Sequence, residues 1–194
     1  LFQLETLQKT TLTGQTILIW GTINKMKIKL CLIFISAIFL SSCSDSKVSV
    51  MDKVDLKTPA IFNLPDLDGK YVDASELKGS YLLVNFWATW CKPCVRELPS
   101  LNNLNKAFKD SNNFKLVAIN VGQSKKVVRE FIDNKSPIDF TVLLDENIEL
   151  SDWEVSAIPT TYLVDDKGNI IYKVEGEKEW DSIEFTSFIK SIID

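Results

Sequence analysis

Two cysteines separated by two residues, Cys91 and Cys94, offer the chemistry of a dithiol pair. They follow an apolar run (YLLVNFW) and stand at the start of a predicted helix. At this spacing a disulfide can close with little backbone movement, and the free N–H groups and dipole of the helix stabilise a thiolate at the first cysteine. Such placement lowers a cysteine pKa from about 8.5 to a range of about 3.5–7.5. We therefore predict that Cys91 attacks and that Cys94 resolves the product.

The side chains around the pair suit the same chemistry. Lys92 adds a cation that favours the thiolate by a modest, salt-screened amount, and Pro93 fits the first turn of a helix and stiffens the loop. Trp90 is assigned to the surface around the site. Glu97, three residues after Cys94, is a candidate acceptor for its proton. The alternatives are that Glu97 faces solvent or a salt bridge, with water or the main chain accepting the proton.

The composition excludes several other chemistries. The 194 residues include no histidine, which rules out Ser-His-Asp and Cys-His catalysis and any histidine-ligated metal site within the chain. A zinc site would need two more ligands, and the remaining thiols, Cys31 and Cys43, are not expected in the folded domain. A purely structural disulfide remains an alternative, although its short loop removes little chain entropy. We expect no metal, no cofactor beyond the Cys91–Cys94 disulfide and, at a net charge of −4, no nucleic-acid partner.

The elements that must position the pair alternate along the chain. Buried strands are predicted at 81–87 and 114–121, with a helix over 93–109 between them. Strands alternating with helices indicate an α/β fold with a mixed sheet covered on both faces. The other predicted elements are strands at 60–64, 71–73, 140–144, 160–164 and 170–174, and helices at 124–134, 145–155 (capped by Asp145) and 182–193.

The N-terminal third has the pattern of a targeting segment. Residues 26–42 carry two lysines and then an apolar run of about 11 residues, which is typical of a signal peptide, and they end at Leu-Ser-Ser before Cys43. We expect cleavage there and lipidation of Cys43, rather than a buried helix that ends in cysteine. Residues 1–25 are expected to be an upstream extension outside the mature protein, the alternative being a cytoplasmic extension with a retained anchor. A flexible tether is predicted over 43–57 and a folded domain over 58–194.

Three segments together resemble the thioredoxin superfamily, and within it the TlpA/ResA-like membrane-tethered thiol-disulfide oxidoreductases. They are the stretch 86–94 (FWATWCKPC), the stretch 157–161 (AIPTT) and the turn 165–169. The resemblance covers residues 58–194 and implies a thioredoxin-like fold with an added N-terminal β-hairpin. It also implies a cis bond between Ile158 and Pro159 that faces Cys91 and presents the amide and carbonyl of Ile158 to a substrate strand.

The sequence departs from the superfamily pattern at two positions. Asn85 stands where thioredoxin proper has a buried aspartate, and asparagine cannot accept a proton from the second thiol. TlpA-like relatives also tolerate asparagine there. Lys92 stands where some reductive relatives place an acid between the cysteines. The proton acceptor for Cys94 is therefore left open by the sequence.

The resemblance implies a protein that reduces protein disulfides in the bacterial cell envelope, lipid-anchored and facing the periplasm or extracytoplasmic space. Its expected partners are protein thiol or disulfide substrates, with apocytochrome c as a client, and a transmembrane thiol carrier as electron donor. A disulfide oxidase or isomerase is an alternative. A peroxiredoxin-like peroxidase is a weaker one, because Asn85, Phe86 and Trp87 replace the usual Pro-x-x-x-Thr-x-x-Cys context. A non-enzymatic copper-binding module would normally recruit histidine.

Overall fold

The computed structural model describes residues 50–54, 59–149 and 153–193. The segments 1–25 and 26–42, together with Cys43, lie outside the described residues, so the expectations about cleavage and lipidation stay predictions. Within the described ranges, none of the helices has the length and apolar character needed to cross a bilayer.

The described chain builds a mixed β-sheet with helices packed on it. The sheet order is β1-β8-β7-β4-β5-β6; β4, β5 and β6 are parallel, and β7 runs antiparallel to both β4 and β8. The strands are β1 (Asp52–Lys53), β2 (Asn63–Pro65), β3 (Tyr71–Asp73), β4 (Tyr81–Trp87), β5 (Phe114–Val121), β6 (Thr141–Asp145), β7 (Thr160–Val164) and β8 (Ile170–Glu175). The helices are α1 (Lys92–Ala107), α2 (Lys125–Asn134) and α3 (Ile183–Ile193). This architecture confirms the predicted thioredoxin-like α/β fold.

Strand β4 lies in the middle of the sheet and explains the apolar run before the cysteines. It pairs with β5 on one side and with β7 on the other, and its side chains from Leu82 to Trp87 are buried. Alternate residues enter two separate cores, Leu83 and Trp87 on the α1 face, Val84 and Phe86 on the other. A strand covered on both faces needs nearly continuous hydrophobic residues. Asn85 is the polar exception in this strand, and it is fully buried.

The N-terminal hairpin is formed by β2 and β3, joined by the turn around Asp66 and Gly69. The Oδ1 atom of Asp66 accepts the main-chain N–H groups of Asp68 and Lys70, and Gly69 has a φ of 87°, which favours glycine. The hairpin is followed by a 3₁₀ turn at Ala74–Leu77. Leu64 of β2 is buried in the core that contains Val84 and Phe86, on the face of the sheet opposite α1.

Two predicted features differ from the structure. The tether predicted over 43–57 contains β1, which pairs with β8, and the neighbouring Met51 is 1% exposed. Hydrophobic burial and sheet pairing therefore hold 51–53 in the fold, although the polar composition gave no periodic signal. The helix predicted over 145–155 is wrong at residues 145–149, because Asp145 ends β6 and its carboxylate accepts the N–H of Glu149 to close a turn.

Candidate active site

The cysteine pair sits where β4 gives way to α1. Cys91 is the residue before the first turn of α1, Pro93 is in that turn, and Cys94 is one turn in. The two cysteines form a disulfide, and the main-chain N–H of Cys94 donates to Sγ of Cys91 at 3.3 Å. Cys91 is 5% exposed and Cys94 is fully buried. The helix N-terminus thus supplies the donor and the dipole that stabilise a thiolate on Cys91 once the disulfide opens.

The opposite wall of the site is the start of β7. The Ile158–Pro159 bond is cis, and the carbonyl oxygen of Ile158 lies 3.6 Å from Sγ of Cys91. The carbonyl of Pro159 accepts the N–H of Gly176, which connects this wall to the segment after β8. A sulfur atom that replaces Cys94 as the partner of Cys91 would therefore meet the main chain of Ile158 next to it.

The exposed rim of the site comes from residues on both sides of Cys91. Trp90 is 68% exposed and Lys92 is exposed, while Ile158 is half-buried. An aromatic side chain that remains this exposed offers apolar contact area to a substrate chain. The structure therefore places the predicted rim residues around Cys91, while Cys43, the predicted lipidation site, lies outside the described residues.

Glu97 lies on α1 three residues after Cys94 and is 1% exposed. Its Oε1 atom accepts Nδ2 of Asn85 at 2.8 Å, and its Oε2 atom accepts the indole N–H of Trp180 at 3.0 Å and the main-chain N–H of Lys178 at 3.2 Å. Burial raises the pKa of Glu97 to about 7, against the lowering effect of these hydrogen bonds. Among the described residues the carboxyl group therefore meets N–H donors rather than solvent or a side-chain cation, and its pKa lies close to neutral pH.

Sequence reasoning missed the residues that hold Glu97. Trp180 comes from the segment 176–182 after β8, and Thr161 of β7 accepts the other hydrogen of the Asn85 amide at 2.9 Å. A tryptophan within the charged stretch Glu-Lys-Glu-Trp-Asp was the available signal, because a large aromatic residue among charges is usually buried. Its partner on α1 could not be found from spacing, since the two residues are 83 positions apart.

A second amide holds the loop in front of the cysteines. Gln123, which follows β5, accepts the main-chain N–H of Thr89 at 2.8 Å and donates to the hydroxyl of Thr89 at 2.8 Å. Asn120 donates to the same Gln123 oxygen at 3.1 Å. The paired hydrogen bonds fix the main chain directly before Trp90 and Cys91. Among residues 50–54, 59–149 and 153–193, no group of three or more acidic or cysteine side chains is arranged to hold a metal ion.

The fold, the disulfide at the start of α1 and the cis-proline wall together define a thioredoxin-like protein with a Cys-x-x-Cys site. The chain belongs to the AhpC/TSA family, whose model matches residues 54–173.

Proteins similar to this chain are named as thiol-disulfide oxidoreductases or thiol:disulfide interchange proteins. The thiol-disulfide oxidoreductase ResA of Bacillus subtilis (strain 168) is 40% identical over 116 residues, which are 59% of this chain and 64% of that protein. ResA of Bacillus anthracis is 30% identical over 132 residues, 68% of this chain and 74% of the relative. A crystal structure from Chlorobium tepidum, assigned as a thiol:disulfide interchange protein DsbE, has a TM-score of 0.65 at 28% identity and covers 74% of this chain and 99% of that one. The chain thus spans slightly less than two thirds of the B. subtilis relative.

Proposed function

We propose that the protein reduces disulfides in other proteins by thiol-disulfide exchange, lipid-anchored to a membrane and facing away from the cytoplasm. The observation that carries the proposal is the asymmetry of the pair. Cys91 is 5% exposed and lies at the helix N-terminus, between the exposed Trp90 and Lys92 and beside the Ile158 carbonyl, whereas Cys94 is fully buried. A nucleophile next to the exposed residues and a more deeply buried resolving thiol are what two successive exchanges require.

In the first exchange the Cys91 thiolate attacks one sulfur of a substrate disulfide. The substrate S–S bond breaks, a mixed disulfide forms, and the other substrate sulfur leaves as a thiolate that takes a proton from solvent. The N–H of Cys94 and the dipole of α1 stabilise this thiolate.

In the second exchange Cys94 must lose its proton before it can attack Cys91. We assign Glu97 as the proton acceptor, because it lies on the same face of α1 as Cys94 and both side chains are buried. Its pKa of about 7 also lets it accept a proton at neutral pH. The Cys94 thiolate then attacks Sγ of Cys91 and the second substrate sulfur leaves and is protonated. Two electrons have passed to the substrate, and the Cys91–Cys94 disulfide has re-formed.

Another dithiol must then reduce the pair, and we propose a transmembrane thiol carrier as its source. The direction of exchange is supported by the resemblance to reductive TlpA/ResA-like proteins. Related dithiols span reduction potentials of about −270 to −120 mV. A redox titration against glutathione or dithiothreitol buffers is expected to place this pair at the reducing end. A potential near the oxidising end would instead favour an oxidase or isomerase.

The substrate is proposed to be a protein with a closely spaced cysteine pair, and apocytochrome c is the client that the resemblance favours. The exposed Trp90 and the half-buried Ile158 flank Cys91 and offer contacts to an extended chain. The substrate class is therefore unfolded or extended polypeptide.

Trapping the mixed disulfide tests the proposal directly. In Cys94→Ser the second exchange cannot occur, so the Cys91–substrate disulfide is expected to accumulate on non-reducing gels and to identify its partner by mass spectrometry. Cys91→Ser is the matched control and is expected to trap nothing. Equal trapping by the two variants would contradict the assignment of Cys91 as the nucleophile.

The proposed anchor has its own test. The sequence pattern before Cys43 supports lipidation, and removal of residues 1–42 takes away four lysines and one glutamate, which leaves an acidic protein of net charge −7. Expression of the full chain and of Cys43→Ser in a bacterium should place the first in the membrane fraction and shift the second out of the lipid-labelled pool. Unchanged labelling with a radioactive fatty acid would contradict a lipid anchor at this cysteine.

A further inference from the structure

The segment 176–182 is fastened along one face of α1. Arg96 pairs with Glu177, with Nε donating at 2.9 Å, and the main-chain N–H of Trp180 donates to the hydroxyl of Ser100 at 3.2 Å. Asn103 donates to Asp181 at 2.7 Å. These contacts lie on successive turns of the helix, so the segment has a fixed position over the buried Glu97.

Trp180 is the inward-facing side chain of this segment. Its ring is fully buried and packs edge-on against Phe185 at 4.8 Å between centroids, while its indole N–H points at Oε2 of Glu97. The main-chain N–H of Lys178 reaches the same oxygen. An indole N–H and a main-chain N–H can only donate, so Oε2 is held as an acceptor whether or not the carboxyl group carries a proton.

The other oxygen has a different kind of partner. Oε1 faces the side-chain amide of Asn85, which can present either its NH₂ or its carbonyl oxygen to a neighbour. The Oδ1 atom of Asn85 is buried, and among the described residues it has no hydrogen-bond partner. When Oε1 is protonated, a half-turn of the amide brings Oδ1 to accept that proton, and the hydroxyl of Thr161 can donate to the same oxygen.

We infer that Trp180 is a positioning residue of the site. Together with the main-chain N–H of Lys178, its indole N–H keeps Oε2 of Glu97 as a hydrogen-bond acceptor. Proton exchange is thereby directed to Oε1, which lies beside Asn85. The inference deepens the proposed function and rests on it in one respect, namely that the proton handled by Glu97 comes from Cys94. Trp180 acts through Glu97 and not by touching the substrate, because its side chain is fully buried.

Burial has the largest effect on the pKa of Glu97, and the hydrogen bonds from Trp180, Asn85 and the main chain of Lys178 oppose it. From the segment 176–182, Glu177 raises the pKa of Glu97, but it is paired with Arg96 of α1. The side chains that β4 and β7 bring to this site, Asn85 and Thr161, are neutral. In the oxidised protein the two cysteines do not titrate, so a transition of Glu97 reports on its own environment.

The test compares two tryptophans that each lose one indole hydrogen bond. Trp180→Phe keeps the aromatic packing and removes the donor to Glu97; Trp153→Phe removes a donor to the carbonyl of Ile61 in the other core. The pKa of Glu97 is measured in the oxidised full-length protein by the ¹³Cδ chemical shift of labelled glutamate. Trp180→Phe is expected to raise it by about one pKa unit, a tenfold change in the dissociation constant, and Trp153→Phe to leave it unchanged. Equal values in Trp180→Phe and the unsubstituted chain would overturn the inference.

A second measurement needs no substitution and covers the case in which Trp180→Phe does not fold. In the unsubstituted protein the indole proton of Trp180 is expected to shift with the same midpoint as Glu97 and to stay protected from solvent exchange on both sides of it. Loss of protection on the acid side would mean that the proton goes to Oε2 and would overturn the inference. If the pKa moves in Trp180→Phe while the pH profile of mixed-disulfide resolution does not, the positioning role stands and the proposed acceptor role of Glu97 fails.

Discussion

At the scale of single residues, burial gives Glu97 its chemistry. A glutamate carboxyl group in water has a reference pKa of 4.5 and would be a weak base towards a thiol at neutral pH. Burial on α1 raises the pKa of Glu97 to about 7, while hydrogen bonds from Trp180, Asn85 and Lys178 keep the charged form accessible. The group is thus both a stronger base and one that can return its proton.

Glu97→Gln keeps the shape of the side chain and removes its ability to take a proton. We expect the resolution of a Cys91 mixed disulfide to slow by at least about tenfold at pH 8, where Glu97 is ionised. In the unsubstituted protein the resolution rate should rise with pH around a midpoint near 7, and this step in the profile should vanish in the variant. Rapid-quench measurement with a peptide disulfide gives both rates.

The matched control for that experiment is Glu179→Gln, which changes an exposed acid in the neighbouring segment. It should leave the rate and its pH profile unchanged. A less than twofold slowing in Glu97→Gln would show that the proton of Cys94 leaves by another route, through water or the main chain.

At the scale of elements, the site is the meeting point of three chain segments. Strand β4 delivers the cysteines at the start of α1, β7 begins at the cis-proline wall, and the segment after β8 covers Glu97. Strand β1 joins the far edge of the sheet by pairing with β8, the strand that leads into that covering segment. The short stretch before the predicted domain boundary therefore belongs to the structural frame of the site.

Met51 tests whether this stretch is part of the fold. It is 1% exposed in the α1-side core, so Met51→Ala should leave a cavity and lower the free energy of unfolding by about 2–4 kcal/mol. Lys53→Ala, at an exposed position of β1, should change it by less than about 0.5 kcal/mol. Urea titrations of the two variants give both values. Equal stability of Met51→Ala and the unsubstituted chain would mean that 50–54 behaves as a tether.

At the scale of the whole molecule, the buried carboxyl group makes stability depend on pH. The folded protein binds the proton of Glu97 more tightly than the unfolded chain, because the folded pKa is about 7 and the reference value is 4.5. Between these values the unfolded chain releases the proton and the folded protein keeps it, so raising the pH favours unfolding. The pKa of Asp73 is lowered by the hydrogen bonds from Ser75, so this group has the opposite effect on stability. Its contribution to the stability of the fold is lost when the pH falls through its folded pKa.

We therefore expect the unfolding free energy to be highest near pH 5 and to fall by about 2.5 kcal/mol between pH 5 and pH 8. Urea titrations across this range measure the change. Glu97→Gln should flatten the curve over the same interval, because its amide does not titrate. A stability that rises from pH 5 to pH 8 would contradict the raised pKa of Glu97.

The sequence by itself determined the elements whose signal is local. The apolar run of β4, the cysteine spacing at the start of α1 and the turn signals of the hairpins predicted the fold and the reacting pair, because neighbours in the chain set these features. It misplaced what depends on distant partners. Strand β1 has too few residues for a periodic pattern. The turn after Asp145 is stabilised by the carboxylate of Asp145, and an aspartate at this position looks the same in sequence as a helix cap.

The tertiary structure alone decided the state of Glu97. From the sequence alone, Glu97 could face solvent, form a salt bridge or accept the proton of Cys94. Trp180 and Asn85, 83 and 12 positions away, settle the matter by enclosing the carboxyl group and donating to its two oxygens. Desolvation is a property of everything packed around a group, so the pKa that makes Glu97 a proton acceptor exists only once β4, α1 and the segment 176–182 have come together.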